Sequence, residues 1–429
     1  MFNAGLLQFL QQSPSPFHAV ASMSDMLLRS GFVALDEAES WQLEPGARYF
    51  VTRNGSSIIA FTTGTGDPVT TGIRMTGAHT DSPCLKIKPE PLINRQGLIQ
   101  FGVEVYGGAL LAPWFDRDLS IAGRVDYRSG SGELKHCLLD LQSPVAVIPS
   151  LAIHLDREAN QNRSINAQTD LPPVMALVNT DSPFDFQDFV LDQVRSQAGH
   201  ESADALLGHE LVFYDTQPPA MTGLNGEFIS SARLDNLLSC YVCTRALVDS
   251  ETTGYSLMVC NDHEEVGSAS ACGAQGPFLE SVLQRIVDAR SEATGREPWE
   301  RMLRQSLFLS IDNAHGIHPN FADKHDSNHG PLLNKGPVLK INANQRYASN
   351  SRSMALFRDI CHQVGVPVQS FVMRSDMGCG STIGPITASG IGVETVDVGV
   401  PTFAMHSIRE LAGSQDAAWM EQAVRHFYN

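Results

Sequence analysis

The chain has 429 residues, 42% of them hydrophobic, with 30 basic and 47 acidic side chains and a formal charge of −17. That length exceeds one comfortable core, so two domains are expected. The acidic balance argues against a nucleic-acid partner, and no run of about 18 apolar residues is present to span a membrane.

Ser15-Pro16 opens an early helix, with Ser at the N-cap and Pro in the first turn. The N-terminus lacks a basic segment followed by an apolar one, so no signal peptide is expected. Residues 56–62 and 72–78 read as strands. A long β-like stretch follows. Phe101, Val103 and Val105 alternate with Gly102 and Glu104. Leu119, Ile121, Val125 and Tyr127 precede Arg128-Ser129-Gly130-Ser131-Gly132, the signature of a hairpin. Residues 187–207 are polar and read as helix or exposed loop. From 230 onward, helix-like segments (Leu279–Ala289, Ser353–Val364) alternate with strand-like ones (Tyr255–Cys260, Ser306–Ile311, Val368–Val372). This predicts an α/β sheet layered by helices, built from 1–91 and 230–429, with 92–229 inserted as a second domain.

Five fragments carry candidate chemistry. Strand-like Tyr255–Cys260 runs into Asp262-His263-Glu264-Glu265. Two adjacent carboxylates repel unless a cation or a shared proton separates them. One glutamate can then hold a metal while the other serves as base toward a water. His79-Thr80-Asp81 suits a metal ligand followed by the group that orients it. Asp235-Asn236 opens a helical pattern; the bland reading is an N-cap, the functional one a carboxylate bridging two metals. A fourth apolar run ends at Asp312, and the fifth, Pro401–Met405, closes on His406. Carboxylate oxygens with imidazole suit zinc, manganese or cobalt, and a bridging aspartate suits two ions.

Taken together these fragments resemble the aspartyl aminopeptidases, cytosolic two-metal exopeptidases that remove N-terminal acidic residues. The resemblance starts at Ser13-Pro14-Ser15-Pro16-Phe17-His18 and ends at Met405-His406-Ser407-Ile408-Arg409-Glu410, and includes Arg233-Leu234-Asp235-Asn236, His318-Pro319-Asn320 and Asn344–Asn350. It implies a three-layer catalytic domain around a central mixed β-sheet, plus an inserted β-rich oligomerisation domain. It also implies two divalent ions, zinc foremost with cobalt or manganese as alternatives, in a homo-oligomer, a dodecamer built from dimers. One metal would be held by His79, Asp235 and Asp312, the other by Asp235, Glu265 and His406. Glu264, with Asp81 in support, would move the proton. The substrate-binding set would be His154, Lys340, Arg346, Tyr347, Met377 and Gly378. Lys340 and Arg346 are the cations placed to read an acidic side chain. His154, read alone, is a structural histidine on an apolar strand; the resemblance sends it into a neighbouring subunit's active site.

Other features carry less. Eight scattered cysteines suggest a reducing cytoplasm rather than a disulfide framework. Cys240-x-x-Cys243 reads as a buried reduced pair. His315, His318, His325 and His329 lie in one loop-like segment. Asp376–Thr382 is glycine-rich but lacks the Gly-Lys-Ser/Thr ending that cradles a nucleotide. Two other functions fit the fragments: a two-metal carboxypeptidase or deacylase on the same scaffold, and a non-catalytic oligomeric binder.

Overall fold

The four central strands of the main sheet run parallel and are buried on both faces, so apolar residues fill successive positions rather than every second one. Along Ser256–Asn261, Leu257 and Val259 enter one core while Met258 and Cys260 enter another. Phe308 and Leu309 divide in the same way. That division produces three layers. The computed structural model describes residues 2–251, 253–293 and 295–429.

Two compact units divide the chain. The first comprises Met1–Asp81, Pro219–Met405 and Glu410–Asn429. Its main sheet has nine strands, in the order Val33–Ala34, Arg48–Arg53, Ser57–Thr62, Ser256–Asn261, Arg74–His79, Leu307–Ile311, Glu394–Gly399, Val338–Ile341, Gln369–Val372. Antiparallel pairs flank the parallel centre, so the sheet is mixed. Helices Phe2–Gln11, Pro16–Arg29, Leu234–Val248 and Asp416–Tyr428 supply side chains to one core. Phe278–Arg290 and Arg296–Gln305 supply the other. Leu234–Val248 is buried around almost its whole circumference, as befits a helix covered by other helices. Ser15 caps Pro16–Arg29 by accepting from the His18 N–H, as the sequence predicts. A smaller five-stranded sheet in this unit joins Ala220–Thr222, Phe228–Ser231, Glu410–Gly413, Pro401–Phe403 and Ala314–His315.

The second unit comprises Ser82–Pro218 and His406–Arg409. Its six-stranded antiparallel sheet runs Leu134–Asp140, Leu119–Ser129, Ala203–Asp215, Cys84–Arg95, Leu98–Tyr106, Val174–Leu177. Phe101, Trp114, Tyr127 and Phe213 fill its core under helix Phe186–Arg195. The predicted hairpin at 128–132 joins two of its strands. Its limits differ from the expected 92–229, since Cys84–Arg95 belongs to it whereas Ala220–Thr222 and Phe228–Ser231 pair within the first unit. The polar stretch 187–207 is helix only to Arg195. Strand Ala203–Asp215 begins inside it, with two register shifts that blur its alternation. No helix among the described residues is long and apolar enough to cross a membrane.

Candidate metal centre

Three neighbouring parallel strands deliver polar residues at their C-terminal ends. Arg74–His79 ends in His79, Ser256–Asn261 leads into the turn with Glu264 and Glu265, and Leu307–Ile311 is followed by Asp312. Register sets His79 opposite Asn261 and Gly77 opposite Ser310, so the three ends meet at one mouth of the sheet. Open α/β sheets bind ligands there. Asp235 arrives from the first turn of Leu234–Val248. There Asp235 (φ −82°, ψ 106°) and Asn236 depart from helical geometry, and the peptide bond between them is cis. Asn236 Nδ2 donates to the Ile311 carbonyl at 2.9 Å, tying this turn to the strand that carries Asp312. Glu410 Oε2 accepts the Asp235 N–H at 3.0 Å.

The candidate ligand atoms of His79, Asp235 and Asp312 all lie within 4.8 Å of one another, as do those of His79, Glu264 and Glu265. His79 Nε2 is 3.4 Å from Asp235 Oδ1, 3.7 Å from Asp312 Oδ1 and 4.0 Å from Glu264 Oε2. Its Nδ1 lies 3.0 Å from the Asp81 backbone oxygen, so a proton on Nδ1 donates there and turns Nε2 toward the acids. The Asp81 carboxylate accepts the N–H groups of Glu264 and Glu265, at 3.2 and 3.1 Å. Asp81 therefore orients the imidazole and the glutamate turn together. Cys240 Sγ donates to the His79 carbonyl at 3.0 Å. Cys240 and Cys243 are fully buried free thiols, and burial pushes both up, away from the reactive thiolate.

The electrostatics record an excess of negative charge in a closed space. Burial pushes Glu264 up to about 7; Asp312 and Asp235 add to the rise and His79 opposes it. Burial, then Asp235, pushes Glu265 up to about 10. Burial alone would lower His79, but its contacts with Asp235, Asp312 and Asp81 hold it well above the usual imidazole range. Lys340 supplies one compensating charge, its Nζ 3.4 Å from Asp312 Oδ2. The donor set fits divalent cations, which would let every carboxylate ionise.

Of the remaining predicted residues, Lys340 stands beside Asp312 and Tyr347 beside Lys340. His406 opens the short segment that groups with the second unit, where its Nδ1 faces the Gly108 carbonyl at 3.1 Å. Lys340 and Tyr347 are both buried, with the ammonium 5.3 Å from the ring centroid. Arg346 is exposed and donates to the Cys379 carbonyl at 3.3 Å. Met377 and Gly378 lie in an exposed turn. His154 is not on a strand: it sits in an exposed turn between Leu151 and Leu155, which are 59% and 75% exposed. The apolar alternation around it thus marks a surface rather than a core. Among the described residues, His315, His318, His325 and His329 do not converge as a ligand set. The roles of two residues escaped the sequence reading. Glu410 closes a recognised motif, but nothing marks it as the acceptor for Asp235. His315, three residues beyond Asp312, is pushed down to about 4 by burial and then by Lys340, which keeps the imidazole neutral.

Because Glu264, Glu265 and His79 all hold protons more tightly in the folded chain, the metal-free protein binds more protons than the unfolded one at neutral pH. Its stability then falls as pH rises. Chelator-treated protein should lose Tm between about pH 6.5 and pH 8, and saturating zinc should flatten that fall, since ligation requires deprotonated groups. The same slope with and without zinc would contradict this account of the cluster.

The geometry has a ready comparison among known proteins. The model of the aminopeptidase I zinc metalloprotease (M18) family matches residues 9–428. A Pseudomonas fluorescens (strain SBW25) protein named "Probable M18 family aminopeptidase 2" is 58% identical over 426 residues, covering 99% of this chain and 97% of its own. The structure of Chaetomium thermophilum mApe1 superposes with a TM-score of 0.89 at 33% identity, covering 100% of this chain and 97% of its own. The S. cerevisiae mApe1 dodecamer does so with a TM-score of 0.86 at 29% identity, covering 99% and 95%. With a match along nearly its whole length, and with carboxylates and an imidazole gathered at the sheet mouth, this chain belongs to the M18 family of zinc metallo-aminopeptidases.

Proposed function

We propose that the enzyme removes acidic residues from peptide N-termini by a two-metal mechanism. Membership of an aminopeptidase family sets aside the carboxypeptidase, deacylase and non-catalytic readings. One observation carries the acidic preference: Lys340, buried and 3.4 Å from Asp312, is a fixed cation beside the acidic cluster. A substrate carboxylate reaching it would form a charge-assisted hydrogen bond in a desolvated place. Arg346, exposed and held by the Cys379 carbonyl, supports the reading less strongly.

In this reading His79, Asp235 and Asp312 would hold one ion, and Asp235 and Glu265 would hold the second. His406 would be the fifth ligand, as its sequence motif indicates. Two zinc ions in these positions would polarise the scissile carbonyl and make the attacking water more acidic. Glu264 takes the proton of that water and returns it to the leaving amine. Asp81 keeps the His79 ring and the Glu264–Glu265 turn in register for both tasks. Tyr347, with Met377 and Gly378, completes the substrate-binding set. The eight free cysteines agree with a cytoplasmic setting.

The insert is proposed to build a homo-oligomer, and His154 to serve a neighbouring subunit's site; that the similar yeast protein is a dodecamer supports assembly. Its exposed turn, with Leu151, Ile153 and Leu155 also exposed, supports such a contact.

Glu264→Gln should retain metal yet lower kcat by about 10²–10⁴, whereas Glu265→Gln should lose metal. Near-normal turnover of Glu264→Gln would remove it as the base. Lys340→Met should reduce kcat/KM for Asp substrates by about 10-fold or more relative to Ala substrates, the scale of a desolvated charge pair. Equal losses on both would deny it a role in side-chain recognition. Mixing inactive Glu264→Gln and His154→Phe subunits should restore part of the activity once subunits exchange. Confirmed exchange without recovery would refute a shared site.

A further inference from the structure

The first unit holds an open cavity of about 270 Å³, with walls that include His315, Phe371, Met373, Met377 and Phe403, and with Lys324 among its lining residues. It adjoins the acidic cluster. His315 feels the charges of Lys340, Asp235 and Asp312, and its ring lies 5.7 Å from that of Phe371. Phe371 is the register partner of Lys340 on adjacent parallel strands, so the two side chains share one face of the sheet. The cavity thus begins where the proposed reader of the acidic side chain ends.

Its chemistry differs from that of the Lys340 position. Thioethers and phenyl rings make adaptable apolar walls, and His318 packs against Phe403 with ring centroids 5.4 Å apart. The Lys324 side chain is 64% exposed, so its charge stays in water. An acidic side chain entering here would lose hydration with little in return. A leucine or phenylalanine side chain would gain by burial.

We propose that this cavity receives the side chain of the substrate's second residue and selects for large apolar and aromatic ones. The inference rests on the reading in which Lys340 meets the first residue's carboxylate. The scissile bond joins the first residue to the second, so the second side chain is the next group to need a wall beside the reacting carbonyl.

The test is a dipeptide panel that varies both positions independently: Asp, Ala or Leu first, and Gly, Leu, Phe, Glu or Arg second. The zinc-loaded full-length enzyme should show a kcat/KM at least about 10-fold higher for Asp-Phe and Asp-Leu than for Asp-Gly, the discrimination an apolar pocket gives. Phe403→Ala should narrow that ratio to within about 3-fold. Lys324→Glu, a change at an exposed side chain, should raise Asp-Arg relative to Asp-Glu and so keeps the test open should Phe403→Ala fold poorly. Failure of the acidic reading appears as a changed order among first residues, whatever follows them. Failure of the present inference appears as equal rates across second residues, or as variants that alter only the first-residue preference; either result overturns it.

Discussion

Everything at this site follows from the cost of gathering carboxylates where water is scarce. Asp81, Asp235, Glu264, Glu265 and Asp312 converge around one buried imidazole. Left alone, such a cluster keeps protons that carboxyl groups normally release, as the raised Glu264 and Glu265 show. Lys340 offsets only part of the charge. Divalent cations are the remaining solution, and they turn a destabilising cluster into a binding site.

The fold supplies the rigidity such a cluster demands. Three of its members stand at the ends of hydrogen-bonded parallel strands, whose register fixes their spacing. The fourth strut is the distorted first turn at Asp235, clamped by Glu410 on its N–H and by Asn236 on the Ile311 carbonyl. Ligands on sheet ends and helix starts are held more closely than ligands on free loops. Chemistry is then divided by neighbourhood. Lys340 brings charge to one side of the mouth, while the Phe371 and Phe403 cavity brings apolar surface next to it.

Much of the fold could be read from the sequence because the signals were local. Apolar runs ending in Glu264, Asp312 and His79 announced strands that deliver charge, and Ser15-Pro16 announced a helix start. The register that places His79 beside Asp312 joins residues far apart in the chain, so no local pattern carries it. Glu410 was invisible for the same reason: the backbone N–H it accepts lies 175 positions away. The strand Ala203–Asp215 was masked by polar residues and register shifts. His154 was misplaced because alternating apolar residues look alike on a buried strand and on an exposed turn. The attachment of only His406–Arg409 to the second unit has no compositional mark at all.

The most direct test of the central claim is a calorimetric titration of metal-free protein with zinc near pH 7, repeated in buffers of different ionisation enthalpy to count protons released. The account predicts two ions per chain and release of at least about one proton, because Glu265 and His79 hold protons until the cations displace them. Binding of a single ion, or of two with no proton release, would contradict it.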